Sequence, residues 1–257
     1  MADSLDHEAN ERQIAERTRA ENREELELTD AVFNLMTDGF NLLPRPFNAD
    51  DERRVLIVQL VTLGYNSLRQ AQHCLLHGYY SQAIALARTA WEAWLHGAYL
   101  RLYEDVPLEA WVRFDTRPRP SVMRRRVASR SHPENPDSER RFLEDLDKLY
   151  SGYSDYSHPG ERAVGVLLDR NEDGSLTLRL GGAFSTGLLC ASVNLFCTSG
   201  YLLSTLLTWE IADGGHPYQA YFDRGRALVA QINEWRRQFA PTPEEAKELE
   251  PPALPSR

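Results

Sequence analysis

The chain has 257 residues, 42% hydrophobic and 26% charged, with a formal net charge of -9 at pH 7. That length can bury the core of one large domain, and the acidic balance argues against an indiscriminate nucleic-acid binder while leaving room for a local basic groove. Three scattered cysteines, Cys74, Cys190 and Cys197, fit reduced thiols and a cytoplasmic location, and the acidic start MADSLDHEANERQ lacks the apolar stretch of a secretory leader.

Residues 5–42 are expected as one long helix, charged on most faces at first and apolar in AVFNLMTDGFNLL. Pro44 and Pro46 end it. Asp50 and Asp51 then stand where a helix start favours negative charge. The next helix runs from 51 to 77, with Gly78 as its stop. Residues 79–103 read as a helix apolar almost all round, which belongs at the centre of a bundle. The short turn at Gly78 makes these two helices an αα-hairpin.

Pro107 opens a shorter helical piece, LEAWVRF. RPRPSVMRRRVASRSHPENPDS, rich in arginine and proline, reads as loop with one helical turn at most. Asp137 or Ser138 is a candidate cap for a helix running to about Ser157. RAVGVLLD and SLTLRL flank the turn-forming NEDG, so one inserted β-hairpin is expected over about 163–180. Leu180 to Thr208 carries no charge. It is long enough to span a bilayer, but its small polar face (Asn194, Thr198, Tyr201, Thr205, Thr208) favours a buried bundle helix and no membrane contact. A last helix is expected from about 217 to 239. The fold class is therefore mainly α. Residues 1–45 form a long, partly solvated helix, 46–240 the helical bundle domain, and 241–257 a disordered acidic tail.

Two stretches carry candidate chemistry. Arg88, Glu92 and His96 recur every four residues on the central helix, among Ala85, Leu86, Ala87, Trp91 and Trp94. Burying such charges costs several kcal/mol unless they are paired. Either the pair fixes packing, or Arg88 meets an anionic group and Glu92 orients or exchanges a proton. The second stretch is YSDYSHPG, residues 153–160. His158 has the ordinary pKa for acid–base work near neutrality, and Tyr153 and Ser157 stand within one turn as hydrogen-bond donors. The competing reading is that these side chains only close a helix end. Ser157 lacks the Gly-x-Ser-x-Gly context of a nucleophile.

HGYYSQAIALARTAWEAWLHGAYL, followed some sixty residues later by YSDYSHP, resembles an uncharacterised bacterial all-helical family. That family is distantly like the HEPN (higher-eukaryote-and-prokaryote nucleotide-binding) and abortive-infection proteins. The resemblance covers roughly 50–210 and implies an all-α bundle, with Arg88, Glu92, Ser157 and His158 in the motif positions. Many HEPN relatives are metal-independent ribonucleases that use an Arg followed four to six residues later by a His at a dimer interface. Here Arg88 to His96 is wider, and Arg126 to His132 lies in the proline-rich stretch.

The resemblance implies a nucleotide- or RNA-binding helical protein, with ribonuclease activity in defence or stress response as the sharper expectation. The catalytic candidates are Arg88, Glu92 and His158. The substrate-binding candidates are Tyr153, Ser157, Arg124, Arg125 and Arg126. A homodimer is expected. The alternative is a non-catalytic helical interaction or dimerisation protein. Arg113, Arg117, Arg119, Arg124, Arg125, Arg126 and Arg130 face only Asp115 in their stretch, a charge asymmetry suited to phosphate; the competing reading is a solvated loop, or a mate for an acidic protein surface such as the N-terminal helix of the same or a neighbouring chain. His73 and His77 are four apart but lack a nearby third ligand, so no metal is expected. No phosphate-cradling glycine loop is present, and no cofactor is expected.

Overall fold

The computed structural model describes residues 7–43, 51–112, 117–157, 168–170, 176–178 and 181–238. They are mainly helical: α1 (His7–Glu21), α2 (Arg23–Leu42), α3 (Glu52–Leu76), α4 (Tyr80–Leu102), α5 (Leu108–Val112), α6 (Pro120–Ser131), α7 (Pro136–Ser157), α8 (Thr186–Asp213) and α9 (Gln219–Gln238). Leu168–Arg170 (β1) and Leu176–Leu178 (β2) pair antiparallel, Leu168 opposite Leu178. The remainder of the hairpin expected over 163–180 falls outside the described residues.

The α3–α4 hairpin is the frame. Asp51 caps α3, its carboxylate accepting from the Arg54 amide at 3.0 Å. Gly78 ends the hairpin's first arm with φ +78°, a conformation open to glycine, and a Cβ there would strike the backbone of Ala183. The Ala183 amide donates to the Gly78 carbonyl at 3.2 Å, so the start of α8 is tied to this turn. At the other end of α4, the Arg53 guanidinium donates to four carbonyls, those of Leu100, Tyr103, Glu104 and Val106, at 2.6–3.1 Å. One side chain thus satisfies acceptors that a helix end leaves open.

α4 and α8 are the centre. α4 buries Ile84, Trp91, Leu95 and Tyr99 among others. α8 packs on α2, α3, α4 and α9. It is the one described helix long and apolar enough to cross a membrane, and half of its most apolar window is buried in the bundle. On its polar face Thr198 and Thr208 donate their hydroxyls to carbonyls one turn back, as the buried Ser192 does elsewhere on the helix.

Two sequence expectations are corrected. The helix read as continuous over 5–42 breaks at Asn22, whose φ of -128° and ψ of 47° leave the helical region. α2 then turns Leu28, Val32, Phe33 and Met36 into the core. The arginine- and proline-rich stretch read as loop contains the twelve-residue helix α6. Pro120 starts it, where the missing amide costs nothing, and Met123, Val127 and Ala128 form a buried stripe.

Candidate functional site

α4, α6 and α7 pack against one another and bring several candidate residues together. Arg88 Nε donates to Glu92 Oε1 at 2.8 Å, with the two side chains 16% and 38% exposed. The four-residue spacing thus makes a half-buried pair at the edge of the core. Arg124 Nε donates to Asp147 Oδ1 at 2.6 Å across α6 and α7. Both guanidiniums flank one aromatic ring: the Tyr150 centroid lies 5.2 Å from Arg88 Cζ and 4.2 Å from Arg124 Cζ. Arg124 is 7% exposed, and its Nη1 is buried with no hydrogen-bond partner.

Outward from this cluster, α6 carries Arg125, Arg126 and Arg130 on its exposed side. Arg126 Nη1 donates to the Tyr99 hydroxyl at 2.6 Å, and the Tyr103 hydroxyl donates to the Arg126 carbonyl at 3.0 Å. Among the described residues, these three arginines have no carboxylate within salt-bridge distance. α6 itself contains no acidic residue. Glu104 and Asp105 line a cavity with Arg130, so the acids near this row stand at its α4 end; guanidiniums outside salt bridges attract phosphate.

Tyr153 is in a different place from the one its candidate role requires. It is fully buried beside Trp91, with ring centroids 5.7 Å apart. Its hydroxyl donates to the Leu195 carbonyl at 3.1 Å and meets Ser199 Oγ at 2.6 Å. Burial raises its pKa, so the phenol is a neutral core donor and touches no surface. The side chain of Ser157 and the whole of His158 lie outside the described residues, so the expected meeting of Arg88, Glu92 and His158 does too.

His96, the third member of the stripe, packs edge-on against Trp111 at 5.1 Å. Burial first, then the positive charge of Arg117, depresses its pKa from 6.5 to about 4, against a smaller pull from Glu92. It is a neutral imidazole at neutral pH. His73 and His77 pack at the end of α3 with ring centroids 4.3 Å apart and planes tilted by 46°, and His77 Nδ1 lies 2.8 Å from the His73 carbonyl. Among the described residues, no three His, Cys, Asp or Glu side chains gather into a metal-holding group.

Sequence reasoning missed Tyr150, Asp147 and Arg236. The first two bring no motif, and only the packing of α7 on α6 and α4 assigns them. Arg236 of α9 donates to Asn194 Oδ1 at 2.5 Å and to Thr198 Oγ1 at 2.6 Å. The uncharged polar face of α8 was its one signal. No protein-family model, no curated protein and no solved structure matches the chain.

Proposed function

We propose that the protein is a HEPN-like helical module that binds nucleotide or RNA on the face built by α4, α6 and α7. It works as a cytoplasmic homodimer without membrane contact, and its sharper role is metal-independent RNA cleavage in defence or stress response. The observation that carries the reading is the α6 arginine row, Arg125, Arg126 and Arg130, exposed and, among the described residues, with no carboxylate within salt-bridge distance. Beside it, Arg88 and Arg124 flank Tyr150. Guanidiniums suit phosphate oxygens, and the partly exposed ring suits a base. In this reading Arg88 contacts phosphate, Glu92 holds it in position, and His158 moves a proton. The inserted β-hairpin over 163–180 belongs to the same reading, supported by the short β1–β2 pairing.

The test is incubation of labelled RNA with the wild-type chain, Arg88→Ala and His158→Ala. Wild-type cleavage that His158→Ala abolishes, with binding kept, supports catalysis. Equal cleavage in both, or none in either, removes the enzymatic claim and leaves binding to stand on Arg88→Ala. The second reading, a non-catalytic interaction protein, is favoured by the Arg88–Glu92 and Arg124–Asp147 pairs, each of which neutralises its own charge. It predicts no RNA binding at all.

A further inference from the structure

A second candidate site lies between α7, α8 and α9, away from the α6 arginine row. It is a groove of about 250 Å³. Its apolar walls are Phe142, Leu146 and Leu149 from α7, Leu202 from α8, and Val229 and Ile232 from α9. One cation stands in it. Arg236 donates from Nε to Asn194 Oδ1 at 2.5 Å, from Nη1 to Asn233 Oδ1 at 3.0 Å and from Nη2 to Thr198 Oγ1 at 2.6 Å. All three acceptors are neutral. The Thr198 hydroxyl spends its own proton on the Asn194 carbonyl at 2.8 Å, which turns its lone pairs toward the arginine.

This arrangement fixes a guanidinium without cancelling its charge. Among the described residues Arg236 has no carboxylate within salt-bridge distance. The groove's one acid, Asp145, lies 3.8 Å from Lys148, and the nearby Glu234 pairs with Arg237 at 2.8 Å. Burial pulls the Arg236 pKa below its ordinary value, so the position is one that resists charge and holds it anyway. Three of the five guanidinium N–H groups are used, leaving one on each terminal nitrogen, the pair a carboxylate takes. An apolar groove with a few fixed polar groups is the general form of a small-molecule site, and this volume is at the small end of that class.

We propose that the groove binds a small amphipathic organic acid, its apolar part between α7 and α9 and its carboxylate on Arg236. Charge complementarity selects this occupant: a neutral apolar molecule or a cation leaves the arginine uncompensated.

The experiment is calorimetric titration of the full chain with sodium octanoate and, separately, with 1-octanol. Saturable octanoate binding, at least ten-fold tighter than octanol, is expected. Arg236→Met is expected to lose ten-fold or more for octanoate and to leave octanol unchanged. Val229→Trp, which puts a larger side chain into the groove wall and keeps Arg236, is expected to abolish uptake of both; it carries the test if Arg236→Met does not fold. Absence of saturable octanoate binding overturns the proposal. So does unchanged octanoate affinity in either folded variant, or equal affinity for octanol. A chain that instead dimerises through this face, separating on Val229→Trp and taking up no octanoate, also overturns it.

Discussion

Two arginine–glutamate pairs in this protein share a geometry and differ in everything around it. Arg88–Glu92 is 2.8 Å long, within one helix, with Glu92 38% exposed. Arg54–Glu210 is 2.7 Å long and joins α3 to α8, with the Glu210 side chain 2% exposed. Arg54 also donates to the Glu210 backbone carbonyl. Arg101 and Asp213 form a further pair at 2.5 Å, and both this pair and Arg54–Glu210 line one cavity of about 270 Å³. Burial raises the Glu210 pKa, and the attraction of Arg54 only partly offsets it. The two pairs therefore differ in the exposure of the carboxylate and in what each pair joins. In the first, the solvent-facing member is the Glu92 carboxylate, while Arg88 is 16% exposed, much as Arg54 is at 18%. The second locks α3 to α8, with its carboxylate almost wholly removed from solvent.

The largest effect that sharpens this contrast comes from Arg54→Met. It leaves Glu210 buried opposite an apolar side chain, and the expected loss is about 3–5 kcal/mol in urea unfolding. Arg54→Met/Glu210→Gln recovers a large part of that loss. The corresponding change at Arg88 costs under about 1 kcal/mol, since solvent screens a pair with Glu92 this exposed. Equal losses at the two arginines would erase the distinction.

The pH dependence comes next. His96 has a folded pKa of about 4 against 6.5 in the unfolded chain. The unfolded state therefore binds the proton first as pH falls. Stability from this group is complete above pH 6.5 and declines between pH 6.5 and 4, by roughly 3 kcal/mol in all. His96→Leu is expected to flatten that part of the stability profile. An unchanged profile contradicts the assignment.

The smallest expected effect belongs to the core. Tyr153→Phe removes a hydroxyl from Leu195 and Ser199, while Ser199 keeps the Ala87 and Leu195 carbonyls at 3.0 and 2.9 Å. A loss of about 1 kcal/mol is expected, with RNA binding unaltered. A loss of RNA binding with the fold intact would return Tyr153 to the site.

What the sequence disclosed follows the same division. The α3–α4 hairpin was legible because Asp51, the apolar period and Gly78 are local signals. Arg88–Glu92 was legible because helical spacing alone brings the two together. α6 was hidden by its composition: proline and arginine suggested loop, and the Met123–Val127 stripe is too short to outweigh them. Asn22 was hidden because one residue leaving helical φ and ψ makes little mark on a pattern of thirty-eight. Glu210 and Arg236 find their partners 156 and about 40 residues away, so only the assembled bundle reveals them. Tyr153 was misjudged for a related reason. Its neighbours in sequence are polar, but the α7 face it occupies points at Trp91.

The central claim is that the α6 arginines contact phosphate. The direct measurement is the salt dependence of affinity for a labelled single-stranded RNA, comparing wild type with Arg125→Ala/Arg126→Ala/Arg130→Ala. Each lost phosphate contact lowers the slope of log affinity against log salt by about 0.7, so the variant should bind at least ten-fold more weakly with a slope shallower by about 2. Equal affinity and equal slope, with the fold intact, would contradict the account.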